Sequence, residues 1–175
     1  MGSGWGNITG QDPRITGYAV VTGAGAGLGR CFALELAGRG VDTILISLPG
    51  SGVEDVARAA SSMGTRSVAV TADLRDRDNL ISLCRRISSR YSVSMLVNNA
   101  GAGGTARIGE CSYAYLENII DLNVTAVAIM TRALLPGLVK GKKSYILNVS
   151  SMAALSPIGF KTVYPASKRF VYDFT

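Results

Sequence analysis

Five short apolar runs, alternating with segments of helical spacing, constrain this chain more than any other feature, and the first run leads directly into a glycine cluster. Gly17–Thr22 (GYAVVT), Thr43–Ser47 (TILIS), Arg66–Thr71 (RSVAVT), Ser92–Val97 (SVSMLV) and Tyr145–Val149 (YILNV) have the length and β-branched content of buried strands. Helices are predicted at Leu28–Arg39, Val53–Met63, Arg77–Arg90 and Tyr113–Val139, with a last one starting near Tyr164. In the first of them Leu28, Phe32 and Leu36 recur every four residues and read as the core stripe. Strands that are almost continuously apolar belong to a parallel sheet covered by helices on both faces. With right-handed crossovers the result is an α/β, doubly wound sheet.

Thr22-Gly23-Ala24-Gly25-Ala26-Gly27-Leu28-Gly29 forms the turn between the first strand and the first helix. Glycine there permits positive φ and lets phosphate oxygens approach backbone N–H groups at a helix start. The strict GxGxxG spacing would need glycine at Leu28, whereas TGxxxGxG fits Thr22, Gly23, Gly27 and Gly29. No Gly-Lys-Ser/Thr follows, so a P-loop is excluded.

An acidic residue at the end of the second strand would grip an adenosine ribose. Asp42 stands at that strand's start instead, where a turn role fits it better, and the strand ends in Ser47-Leu48. Without a carboxylate to repel it a 2′-phosphate is tolerable, which favours NADP over NAD. Arg30 or Arg66 could hold that phosphate, or each could be a surface charge.

Tyr164 and Lys168 stand four apart at the start of the last helix and so share a face. An ammonium near a phenol favours the ionised form of the phenol and makes it a usable proton donor near neutral pH. Ser151 follows the fifth strand at its carboxyl end, where doubly wound sheets place ligands. Taken singly, these could be an ordinary helix pair and polar loop residues.

In order, TGxxxGxG, Asn98-Asn99-Ala100-Gly101, Asn123, Ser151 and Tyr164-xxx-Lys168 resemble the short-chain dehydrogenase/reductase superfamily from about Gly17 onward. Ile129–Val139 with Ile146–Ser151 looks like its branch of 3-oxoacyl-thioester reductases and 17β-hydroxysteroid dehydrogenases. The resemblance implies a Rossmann-like sheet of strand order 3-2-1-4-5. It implies that Tyr164 donates a proton to a carbonyl oxygen, Ser151 polarises that carbonyl, and Lys168 holds the nicotinamide ribose. Asn123 would support a water linking Lys168 to solvent. Gly23, Gly27 and Gly29 would face the pyrophosphate, Asp73 the adenine, and Asn99, Ala100 and Gly101 the adenosine ribose and sheet centre. Thr22, Leu28, Ser47 and Leu74 complete the expected cofactor set. Two bland readings stand beside these: a buried Asn123 bonded to backbone, and Asp73 as a helix cap before Leu74.

The expected reaction is hydride transfer from NADP(H) to a small-molecule ketone, giving a secondary alcohol, in a homo-oligomer. The chain carries no histidine, which removes histidine-based triads and most transition-metal sites, and its three cysteines are widely spaced without CxxC. Its +6 charge is the sole support for a nucleic-acid ligand, with no aromatic-and-basic stripe, so none is expected. Arg132 and Pro136 interrupt the most apolar stretch and no signal-peptide pattern opens the chain, so a cytoplasmic protein without a membrane segment is expected. Residues 1–16 read as an extension and 17–175 as one domain. That domain is expected to be incomplete, because family members add further strands and a substrate-covering segment after the tyrosine helix. The alternative function is a nucleotide-binding module with little or no turnover.

Overall fold

The computed structural model describes residues 15–141, 143–156 and 159–174. Residues 1–14 of the expected extension, and Thr175 at the other end, lie outside the described residues. Five parallel strands form one sheet in the order β3-β2-β1-β4-β5. They are β1 Tyr18–Thr22, β2 Thr43–Ser47, β3 Ser67–Thr71, β4 Val93–Asn98 and β5 Tyr145–Asn148. The expected order and doubly wound class therefore hold.

The helices are α1 Gly27–Gly38, α2 Val53–Ser61, α3 Arg77–Arg90, α4 Tyr113–Ile120, α5 Ala126–Leu138 and α6 Val163–Asp173. The single long helix expected at Tyr113–Val139 is divided into α4 and α5 by a π-helical turn at Asp121–Thr125. By length and hydropathy the continuous Tyr113–Leu138 rod is apolar enough to cross a membrane, contrary to the expectation of no such segment. Its packing gives another use for that apolar character: Ala126, Met130, Leu134 and Leu138 are buried against α3 and the sheet.

One core layer lies between the sheet and α3 and α5, with Val20, Ile44, Ile46 and Leu96 meeting Leu80, Leu83 and Ile87. The other lies beneath α1 and α2, where Val21, Leu45 and Val97 meet Ala33, Leu36 and Val56. Ile15 packs partly buried against this second layer. The expected stripe on α1 is corrected at its first member. Leu28 is 63% exposed, while Gly29, Ala33, Leu36 and Ala37 form the buried face. The helix approaches the sheet too closely at its start for a leucine to be the contact.

At the amino ends of the strands, Asp42 accepts hydrogen bonds from the backbone N and Nε of Arg66, each at 2.8 Å. Arg66 also lies 5.5 Å from the Tyr18 ring centroid. It is thus committed at the edge opposite the glycine turn. That corrects its assignment as a possible holder of a 2′-phosphate, and it makes Asp42 a clamp between the starts of β2 and β3 rather than a turn residue.

Candidate active site

The carboxyl edge of the sheet gathers the expected residues. Thr22, buried at the end of β1, donates from Oγ1 to the Val97 carbonyl at 3.3 Å. The same oxygen accepts the N–H groups of Asn99 and Ala100, each at 3.0 Å. Asn99 returns the contact, its Nδ2 donating to the Thr22 carbonyl at 2.9 Å. Asn99 therefore ties β1 to β4 at the sheet centre, and its amide is spent on backbone. The neighbouring Asn98 donates from Nδ2 to Asn148 Oδ1 at 2.8 Å and carries the tie on to β5.

Gly23 and Gly27 have φ of +66° and +54°. At Gly29 a Cβ would overlap the Gly23 carbonyl and stand 2.6 Å from Asn99 Nδ2. At Gly27 a Cβ would meet nothing within 4 Å, so the turn opens to solvent there. The N-cap of α1, Ala26, supplies no side-chain hydrogen bond, and no acidic residue stands in the first turn. Uncapped first-turn N–H groups with the positive end of the helix dipole suit a pyrophosphate. Arg30 is exposed in that same turn. Ser47 is partly buried at the end of β2 and Leu48 beyond it is exposed.

Asp73 follows β3 but caps nothing. The N-cap of α3 is Asp76, whose side chain accepts from Asn79 N. Asp73 is gripped by Arg75, with Nη2 to Oδ2 at 2.6 Å and Nε to Oδ1 at 2.9 Å. This hydrogen-bonded guanidinium holds the carboxyl below the usual aspartate range. Arg75 continues to Asn118 Oδ1 on α4 at 2.6 Å. Leu74 is buried in the core, so only its backbone could face a cofactor.

Lys168 is buried on α6, and its Nζ donates to the Val149 carbonyl at 2.8 Å. Burial lowers its pKa from the ordinary lysine value. A Cβ on Gly101 would stand 3.2 Å from that Nζ, and one on Gly103 would stand 3.2 Å from Cε2 of Tyr164. The glycine loop after β4 is thus the wall that faces both residues. Ser151 follows β5, and its Oγ accepts from Ala153 N at 3.2 Å, a bond that leaves the hydroxyl hydrogen unused.

Asn123 sits fully buried in the π-helical turn. Its Oδ1 accepts from Ala102 N and its Nδ2 donates to Ala102 O, both at 2.8 Å. The bland expectation, a buried asparagine bonded to backbone, describes these two bonds, while a third runs from Nδ2 to Ser167 Oγ at 2.9 Å. Two further hydroxyls escaped sequence reasoning. Ser150 Oγ donates to the Lys168 carbonyl at 2.7 Å, and Ser167 Oγ to the Tyr164 carbonyl at 2.8 Å. Serine is common enough in loops and helices that neither carried a signal of its own. Among the described residues no His, Cys, Asp or Glu cluster could hold a metal ion.

Residues 17–175 match the family described as short chain dehydrogenase. The chain belongs to that family. Among curated proteins, this short-chain dehydrogenase is 34% identical to the very-long-chain 3-oxoacyl-CoA reductase of Anas platyrhynchos, over 93% of its own length and 54% of the relative's. The corresponding rat protein is 32% identical over 97% of the chain and 56% of that protein. The chain spans about half the length of these curated relatives. A solved 3-oxoacyl (acyl-carrier-protein) reductase from Agrobacterium tumefaciens with NADP bound superposes with a TM-score of 0.84 at 27% identity, covering 95% of this chain and 64% of that one. A short-chain dehydrogenase from Sphingobium yanoikuyae in complex with NADPH gives 0.84 at 27% identity, covering 91% and 63%. The branch suggested by the motifs is the branch of these reductases.

Proposed function

We propose that this short-chain dehydrogenase takes part in the reduction of a ketone to a secondary alcohol with NADP(H). The observation that carries this reading is the seating of Tyr164 and Lys168 against the one loop Gly101–Gly103, beside an uncapped glycine turn. The bound dinucleotide would supply hydride, which the amino acids cannot.

The residues fit that cofactor. The first-turn N–H groups of α1 receive the pyrophosphate without an acidic neighbour to oppose it. Asp73, fixed by Arg75, would be the acceptor for the adenine edge. Lys168 spends one donor on Val149 and keeps the rest of its ammonium for ribose hydroxyls. Tyr164 supplies the proton that the reduced carbonyl oxygen needs, and the Ser151 hydroxyl hydrogen polarises that carbonyl. Asn123 locks the loop that walls both sides of the pair.

The end of β2 carries Ser47-Leu48 rather than a carboxylate, which supports NADP over NAD, as do the NADP-bound relatives. The names of the curated relatives support a 3-oxoacyl thioester as the substrate class, and a steroid-like ketone is the neighbouring choice that the motif resemblance offers. Exposed Tyr113, Ile120, Leu135 and Val139 on the α4–α5 rod, with Tyr172 on α6, support self-association.

The test is nucleotide binding followed by turnover. In isothermal titration calorimetry NADPH is expected to bind the chain at lower concentration than NADH. Tyr164→Phe should leave that binding within about twofold while lowering ketone reduction by about a hundredfold, the scale of a lost general acid. Absence of binding to either nucleotide at millimolar concentration would sink the reading.

A further inference from the structure

Ser167 stands between Tyr164 and Lys168 on α6 and is 4% exposed. Its hydroxyl donates to the Tyr164 carbonyl at 2.8 Å, a back-bond that many helical serines make. The second bond is what sets it apart. Asn123 Nδ2 donates to Ser167 Oγ at 2.9 Å across two elements, in a buried setting. The other Nδ2 hydrogen goes to Ala102 O, and Asn123 Oδ1 takes Ala102 N, each at 2.8 Å. Ala102 lies between Gly101, which faces Lys168 Nζ, and Gly103, which faces the Tyr164 ring. A continuous hydrogen-bonded chain therefore runs from the glycine loop through Asn123 and Ser167 to the backbone of the tyrosine itself.

We propose that Ser167 is a positioning residue for the Tyr164–Lys168 pair, acting through Asn123 to hold the Gly101–Gly103 wall against the helix that carries them. This inference rests on the functional reading of Tyr164 and Lys168 given above. The hydroxyl is suited to the task because it accepts from Asn123 and donates to Tyr164 at once. Alanine removes both contacts and leaves an Asn123 N–H buried without an acceptor.

The experiment is amide hydrogen exchange by NMR on the ¹⁵N-labelled chain and its Ser167 variants, without ligand. In Ser167→Ala the Ala102 N–H and the Asn123 side-chain amide should exchange about tenfold faster, while amides of β1 and β4 stay within about twofold, the pattern of local rather than global opening. Ser167→Thr, which keeps the hydroxyl, should restore slow exchange. Ser167→Cys, similar in size with weaker hydrogen bonds, should fall between and covers the case in which the threonine methyl is not accommodated. NADPH affinity, where wild type binds, should fall about fivefold in the alanine variant and recover with the hydroxyl. Unchanged exchange at Ala102 and Asn123, or equal acceleration throughout the sheet, overturns the proposal. Failure of wild type to bind NADPH counts against the proposed function alone, because the exchange readout needs no cofactor.

Discussion

The ammonium of Lys168 donates to the main-chain carbonyl of Val149 at 2.8 Å, so the buried cation of the site is anchored to the end of the strand beside it. One carbonyl replaces only part of the water such a group gives up, and burial accordingly lowers its pKa.

That shift makes a pH prediction. With a folded-state pKa below the unfolded value, the unfolded chain holds more protons in the window between the two, and stability rises with pH there. The comparison is with Lys168→Met, which removes this ammonium and leaves every other group in place. The stability of wild type relative to that variant should grow as pH is raised from neutral toward the ordinary lysine pKa. Urea unfolding at several pH values measures it, and a flat difference would show that burial does not govern Lys168.

Thr22 makes a second. Its Oγ1 takes two backbone N–H groups and gives its own hydrogen to Val97. Valine preserves the shape but leaves the N–H groups of Asn99 and Ala100 without their acceptor. Thr22→Val should cost about 2–4 kcal/mol, whereas Thr22→Ser should cost about 1 kcal/mol or less. Denaturant midpoints decide between them, and equal losses would make the methyl group the important part.

The glycine turn makes a third, by contrast within itself. A methyl group at Gly29 meets the Gly23 carbonyl and Asn99, whereas one at Gly27 meets open space and carries only the strain of φ +54°. Gly27→Ala should lower stability by about 1 kcal/mol, and Gly29→Ala by more, about 3 kcal/mol, because backbone has to move. Equal unfolding midpoints for the two would contradict the close approach of α1 to β4.

Most of the architecture was legible because it rests on local rules. Val20, Leu45 and Val97 sit in runs too apolar for anything but a doubly covered sheet, and Gly23 and Gly27 mark a turn that demands positive φ. What escaped was decided by which partner each side chain takes, a choice made across the fold for Gly29 and Asn123 and within three residues for Asp73. Leu28 fits a helical stripe yet faces outward, because Gly29 makes the contact its spacing suggested. Asp73 precedes a helix as a cap would, but Asp76 is the cap and Arg75 takes Asp73. Arg66 is charged and close in sequence to β3, yet lies at the wrong end of it. Asn123 in an apolar helix was a visible anomaly; that it marks a π-helical turn depends on Ala102 and Ser167, 21 and 44 residues away.

The turn at Asp121–Thr125 has one more consequence. A π-helical turn holds an additional residue relative to an α-helical one, so the faces of α4 and α5 stand about 100° away from the phase that an uninterrupted α-helix would give them. Deleting a single residue there would leave a smoother rod and a misaligned one. Either Ile119 or Met130 would be rotated off its buried side. The irregularity works as a gear offset between two halves, and its length in residues is as much a part of the fold as the identity of the asparagine within it.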